Sequence, residues 1–472
     1  MTKNNKKLTK TECSSVLVNI ICAAAAAVLV SGLFTIGLMN LVCTDELYIS
    51  YVTEFSREAA VCGAAVFAVT AAALALLYAM LKSRRAAVAV LALALLARLA
   101  AALFWKIEPE SDFAITYELG KLIAHTPVRE WGRTLDAYGT SYNDLWAVHM
   151  PFVVYQSILL KITDSAVILR LVNAMFSFGS CFFIVRLAHI LGGDRAGRAA
   201  LVFTAFNPTI IFFVPVLTNQ HVSQFFFVLA LWVFMGSGIK NEYVRAWLAG
   251  LCVGVSQLLR PEMLVVVIAA AAYTAYSCIR SGGAAKKLTV FAAGMCVFLA
   301  VIAAMNTFLT SVDAVHRNIY SGNLNYKIMV GLNPDTNGSW SASDSGLEGN
   351  NEEINTVIKS RLSQNPLKIV PRLYGKSAYQ LGSYVYTWSY RSDSEWISQL
   401  VMRRSGTALM LIVCAMAAWN MLFRRREDFI SLYMTTAVFA AVYAVIEIQS
   451  RYNFMMLPVL ILLAAVGNKG KE

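Results

Sequence analysis

The sharpest polar feature of the sequence is Glu108-Pro109-Glu110-Ser111-Asp112-Phe113, in which Glu110 and Asp112 stand two residues apart just beyond an apolar tract. Carboxylates so placed suit a general base, or the ligands of a divalent cation such as Mg or Mn, because either task needs an ionised oxygen aimed at one point. A plain solvated acidic loop has the same spelling. A competing pair, Asp45/Glu46, follows the first apolar tract, in a loop that gives a substrate little room. Further on, His149 opens His149-Met150-Pro151. An imidazole at a membrane interface can hydrogen-bond a phosphate or a sugar hydroxyl, although a lone histidine more often serves packing. Arg98, Arg260, Glu447 and Arg451 interrupt apolar runs. A charge at membrane depth is costly, so each is a functional candidate, with Arg98 equally able to snorkel or pair for structural reasons.

The elements that must hold these residues follow from composition. Of 472 residues, 58% are hydrophobic and 14% charged, against roughly 45–50% and about 25% in a soluble domain. Such a chain has too much apolar surface to stay disordered. The expected fold class is an all-α polytopic membrane protein. Forty basic against 28 acidic side chains give a net charge of +12, which suits a nucleic-acid partner only if the cations gather on one face. They do not.

A spanning helix needs about 20 apolar residues. Stretches that meet or approach this are 16–42, 58–81, 86–107, 166–190, 197–217, 221–238, 244–260, 262–279, 288–311, 405–423, 429–447 and 453–467, about 12 transmembrane helices in all. The tract 147–161 is short and polar-edged, and reads as re-entrant or interfacial. With the N-terminus in the cytoplasm, the inside loops hold Lys82/Arg84/Arg85, Arg186/Arg195/Arg198, Lys240/Arg245, Arg280/Lys286/Lys287 and Arg424–Arg426. Every predicted inside loop is basic, so both termini are expected in the cytoplasm of a plasma-membrane protein.

Two segments on the opposite side are large: 108–147, and the polar 312–404, where Gly331–Asn351 reads as loop. Within the second, Asn351–Leu362 has helical apolar spacing, and Leu367–Tyr386 is amphipathic enough to lie on a membrane surface. Most of the nine cysteines sit in apolar runs, without metal-ligand spacing; Cys43 and Cys62 flank the first external loop and could pair. The first apolar run is about twice as long as a signal peptide needs, so it reads as an uncleaved span. Inside loops are too short to bind a nucleotide.

The order of polar landmarks resembles a known family. Arg98 lies within a span; Ser111-Asp112-Phe113 follows, with Tyr117, Leu119 and Gly120. Next come His149-x-Pro151, Arg170-Leu171, Asn207-Pro208, Leu217-Thr218-Asn219, Arg260-Pro261 and Glu447-x-Gln449-x-Arg451-Tyr452. This resembles the GT-C glycosyltransferases of the family 39 type, which include protein O-mannosyltransferases and the aminoarabinose transferase of lipid A. Gly331-Leu332-Asn333 and Gly338-Ser339-Trp340 look like the bacterial branch that decorates cell-envelope polymers. The resemblance implies a polyprenyl-phosphate sugar donor, transfer on the non-cytoplasmic face, and Asp112 as base or metal ligand with Glu110 as helper. It implies two additional helices over 1–85, a core over 86–311 with a catalytic loop 108–147, an external domain over 312–404, and C-terminal helices over 405–472.

The chemistry itself sets requirements. A phosphate leaving group departs as a stable anion and needs positive charge, which Arg98, Arg260, Lys376 or Arg451 could supply, with Tyr452 beside them. The acceptor hydroxyl needs a base. Tyr117, His149, Asn219 and Glu447 are the expected substrate contacts. Membrane lipids are a further partner, and the acceptor (envelope polysaccharide, teichoic acid, glycolipid or protein) is open, as is the need for a metal. A transporter or lipid flippase is the rival class, because many spans with buried charge suit it, and an oligosaccharyltransferase of the same architecture is a third reading. No internal repeat of the kind common in transporters is visible.

Overall fold

The computed structural model describes residues 10–44, 55–138, 142–320 and 323–467. Asp45/Glu46 lie outside the described residues. The chain order of the longer helices is α1 (Lys10–Gly32), α2 (Arg57–Met80), α3 (Arg84–Phe104), α4 (Asp112–Ala124), α5 (Met150–Leu160), α6 (Ala166–Ala205), α7 (Gln220–Met235) and α8 (Glu242–Leu259). Then follow α9 (Leu264–Ser281), α10 (Ala284–Ser311), α11 (Asn323–Gly331), α12 (Asn351–Leu362), α13 (Pro366–Gly382), α14 (Gly406–Phe423), α15 (Ile430–Val445) and α16 (Leu457–Val466). Among the described residues, eight helices are long and apolar enough to cross a membrane, and three shorter apolar ones accompany them.

Helix starts are written in the sequence. Ser56, Ser83, Ser165 and Asn241 each accept a hydrogen bond from a backbone N–H in the first turn of α2, α3, α6 and α8. These side chains satisfy donors that a helix leaves without an internal partner. The expected spans over 166–217 form one continuous run, α6, that turns at Gly193 (φ 75°, ψ −170°), a conformation favouring glycine. The second arm stops at Ala205, well short of residue 217. Pro208 cannot continue a helix, and Asn207 caps a new turn by accepting from the Thr209 N–H at 3.1 Å.

Burial sorts the helices. Every residue of α16 is buried, packed between α6 and α14, so a helix apolar all round forms the centre of the bundle. In contrast, α10 is apolar yet fully buries only Phe298 and Leu309, the rest being half-buried or exposed, as in a helix with one face toward lipid. The amphipathic α13 differs from expectation. Its second half, Lys376–Gly382, is buried against α1 and α15 instead of lying on a surface. The close approach rests on glycine: a Cβ on Gly32 of α1 would come within 2.3 Å of the Ala378 carbonyl oxygen. Cys43 and Cys62 are free thiols rather than a disulfide, and the Cys62 sulfur accepts a hydrogen bond from Arg404.

Candidate functional site

Asp112 begins α4, where its negative charge meets the positive end of the helix. The residue before it, Ser111, has φ 52° and ψ −134°, a strained backbone for a side-chain-bearing residue and a mark of functional turns. The half-buried carboxylate has its Oδ1 3.5 Å from the Tyr142 hydroxyl. Burial, and then the Asp112 charge, hold the Tyr142 phenol well above its usual pKa, so it stays a donor. The His149 ring lies parallel to Tyr142 at 6.0 Å and beside Trp146 at 6.1 Å. Burial pushes its imidazole down to about 4, against the pull of Asp112, with Lys327, Arg260 and Arg451 adding to the shift. His149 is therefore neutral near pH 7.

Three cations close the other side. The Arg451 guanidinium lies over Phe113 at 4.6 Å and Trp388 at 5.3 Å, and its Nε donates to Gln449 at 2.7 Å. Arg260 donates to the Asn219 side chain at 3.0 Å, pairs with Glu262, and lies over Tyr452 at 5.5 Å. Lys327 of α11 pairs with buried Glu447 and lies 5.3 Å from the Trp146 ring centre. Burial alone would lower the Lys327 pKa, but Glu447 carries it above the usual lysine value. Glu447 also accepts from Tyr452 at 3.1 Å and Gln449 at 3.0 Å.

A short backbone connection fixes Glu447. Its N–H donates to the Lys327 carbonyl at 2.8 Å, and the Ile448 N–H to Gly338 at 2.9 Å. Behind it, buried Lys376 donates to the carbonyls of Gly331 and Ile446. Lys376 is thus a latch between the 331–338 turn and the Glu447 segment. Its ammonium is spent on carbonyls.

The structure brings together Asp112, His149, Arg260, Asn219, Glu447, Arg451 and Tyr452. It does not bring Arg98 there: that buried side chain donates to the carbonyls of Ala94, Thr204 and Ala205 and to Ser177. The last two helical carbonyls of α6 have no partner within their own helix, and Arg98 supplies one. Tyr117 lies elsewhere on α4, packed with Leu160, Leu169 and Leu217 and 5.7 Å from Lys121. Glu110 is exposed and lines a separate cavity of about 620 Å³ with Glu108, Trp388 and Tyr390. Lys327, Tyr142, Trp146 and Trp388 are cluster members that sequence reasoning missed. Lys327 sits in a polar stretch where a lysine is ordinary, and only the adjacent Tyr326 hinted at a packed setting.

The residues do not fit a divalent metal between Glu110 and Asp112. Glu110 lines the outer cavity while Asp112 lies within the electrostatic reach of Lys327 and Arg451, and among the described residues no group of three His, Cys, Asp or Glu converges. A dication beside that cationic wall would be repelled.

No family model matches the chain, and no curated protein matches it. Among solved structures it is similar to the crystal structure of the Archaeoglobus fulgidus oligosaccharyltransferase in complex with Zn and sulfate. The identity is 14% and the TM-score 0.36, over 80% of this chain and 53% of that one. The chain spans about half the length of that protein.

Proposed function

We propose that this chain is a twelve-span glycosyltransferase of the GT-C type, moving a sugar from a polyprenyl-phosphate donor to a cell-envelope acceptor on the extracytoplasmic face, with both termini in the cytoplasm. The observation that carries the reading is one carboxylate, Asp112, gathered with Arg260, Lys327 and Arg451 around aromatic rings. Two of those cations are matched by Glu262 and Glu447. Arg451 is the one whose Nε bonds a neutral amide.

The division of labour follows from charge. The acceptor oxygen attacks the anomeric carbon while its proton passes to Asp112 and the bond from carbon to phosphate oxygen breaks. The departing phosphate keeps the bonding electrons. Arg451, with Arg260 behind it, meets that growing negative charge in a buried setting where water cannot screen it. Lys327 and Tyr452 hold Glu447 in place, and Tyr142 orients Asp112. Neutral His149 offers a hydrogen bond to a hydroxyl without competing for the proton. A single displacement inverts the anomeric centre.

Transfer from a polyprenyl-phosphate sugar, measured in proteoliposomes, tests the reading. Asp112→Asn is expected to insert and fold normally yet lose about 10²–10⁴ in turnover, and Arg451→Gln to lose about 10²–10³. Wild-type turnover in the Asp112→Asn protein sinks the assignment of the base.

A further inference from the structure

The cavity of about 620 Å³ beside the cluster is built from two segments. One is the loop after α3, with Glu108, Glu110 and Phe113; the other is the run Thr387–Asp393, with Trp388 and Tyr390. The two are stapled together. The Trp105 indole donates to the Ser389 carbonyl at 2.8 Å, and Arg391 donates to the Phe104 carbonyl and lies 5.1 Å from the Trp105 ring centre. The cavity is therefore walled by a fixed frame rather than by two loose loops.

Its lining has a definite chemistry. Aromatic rings present electron-rich faces to the C–H bonds of a sugar ring, and carboxylates and hydroxyls accept from sugar O–H groups. Both kinds are present in Trp388, Tyr390, Thr387, Glu108 and Glu110. Charge adds a sign. Two lining cations, Lys106 and Arg391, stand against three carboxylates, Glu108, Glu110 and Asp393, and Arg391 is already paired with Asp393. Beyond the Arg391–Asp393 pair the outer lining leaves one carboxylate in excess, so its mouth offers a polyanion no net attraction, whereas a hydroxyl-rich or amine-bearing chain finds acceptors there.

The position relates it to the chemistry. Phe113, the neighbour of Asp112, lines the cavity, and Trp388 lines it too while meeting Phe113 edge to face at 5.3 Å. The Arg451 guanidinium lies over both rings. The cavity and the cationic cluster thus share one wall.

We propose that this cavity is the acceptor subsite, and that it takes a saccharide without net negative charge, neutral or amine-bearing, rather than a phosphate-rich polymer. The word acceptor rests on the transferase reading above; the saccharide specificity rests on the cavity alone. The test measures binding to the full chain in nanodiscs by saturation-transfer NMR. Three probes of equal length are used: a neutral cello-oligosaccharide, a glucosamine oligosaccharide, and a glycerol-phosphate oligomer. The first two are expected to bind, the phosphate oligomer about tenfold more weakly or worse, and Trp388→Ala to weaken saccharide binding about tenfold. The double variant Glu108→Gln/Glu110→Gln changes only exposed side chains, and is expected to weaken binding of the glucosamine probe more than that of the neutral one and to narrow the discrimination against phosphate. Equal or tighter binding of the phosphate oligomer, no saccharide binding at all, or binding indifferent to both variants overturns the proposal. If saccharides bind through Trp388 while no sugar is ever transferred from a lipid phosphate, the cavity stands and the transferase reading falls.

Discussion

At the scale of single residues, depth in the membrane was legible in the sequence while direction was not. Arg98 and Arg260 look alike as written: each is an arginine in an apolar run. One caps the carbonyl end of α6, and the other bonds Asn219 and Glu262 beside the Asp112 cluster. Which face of a helix a charge occupies depends on partners distant in sequence, such as Thr204 and Ala205 for Arg98. Lys327 shows the converse: a charge in a polar stretch carries no signal, although it pairs with Glu447, far along the chain. The two arginine roles separate by experiment. Arg98→Met strands the Thr204 and Ala205 carbonyls and is expected to cost about 1–3 kcal/mol of stability, with donor KM unchanged in the folded protein. A raised donor KM with an unchanged melting temperature returns Arg98 to the phosphate site.

Elements were more readable than their contacts. Eleven of the twelve apolar tracts are helical through most of their length, the exception being 197–217, whose helix ends at Ala205; the agreement elsewhere holds because length and serine or asparagine caps are local properties. The early end of α6 was local too, in Asn207-Pro208, but its apolar flank masked it. What the local pattern could not tell was that α13 crosses α1. That crossing depends on Gly32 and Gly382, where any side chain meets backbone, the small-residue contact by which membrane helices approach closely. Gly32→Leu is expected to cost about 1–3 kcal/mol by overpacking and, through α13, to loosen the Lys376 latch on Glu447. A thermal melt of the detergent-solubilised protein reads the first, and donor KM the second; an unaltered melt refutes the close crossing. Between elements, Asp144 accepts from the backbone N–H of His316 and bonds its ring, both at 2.9 Å, tying the Tyr142 segment to the end of α10. The Asp144 hydrogen bond raises the His316 pKa above 6.5. The folded state therefore holds that proton more tightly, so the stabilisation is complete below the unfolded value and fades as pH climbs through the folded one. The His316 ring is half exposed, so water screens the pair and the effect is about 0.2–1 kcal/mol. Wild type is expected to melt above His316→Gln at pH 5.5, with the gap closing by pH 8. A gap that widens with pH contradicts the pairing.

For the molecule as a whole, composition specified a class and charge placement specified an orientation, and the two can be tested apart. The 58% hydrophobic content requires a lipid-embedded bundle whatever its direction. The direction comes from Lys and Arg, which are favoured in loops retained on the cytoplasmic side. Arg280, Lys286 and Lys287 surround the turn between α9 and α10, whereas Ser392 lies on the acidic cavity beside Asp112. If basic loops face the cytoplasm, the cavity and the Asp112 cluster face outward. There a nucleotide sugar is absent, and only a lipid-held donor can reach them. This links topology to chemistry, since the opposite orientation would expose Asp112 to cytosolic nucleotide sugars and remove the reason for a polyprenyl carrier. Ser392 and Ser281 are both exposed, so each tolerates a cysteine. Ser392→Cys is expected to react with a membrane-impermeant maleimide in intact cells, above the labelling of the parent protein. Ser281→Cys is expected to react only after permeabilisation. The reverse pattern would invert the bundle and, with it, the donor class proposed for this site.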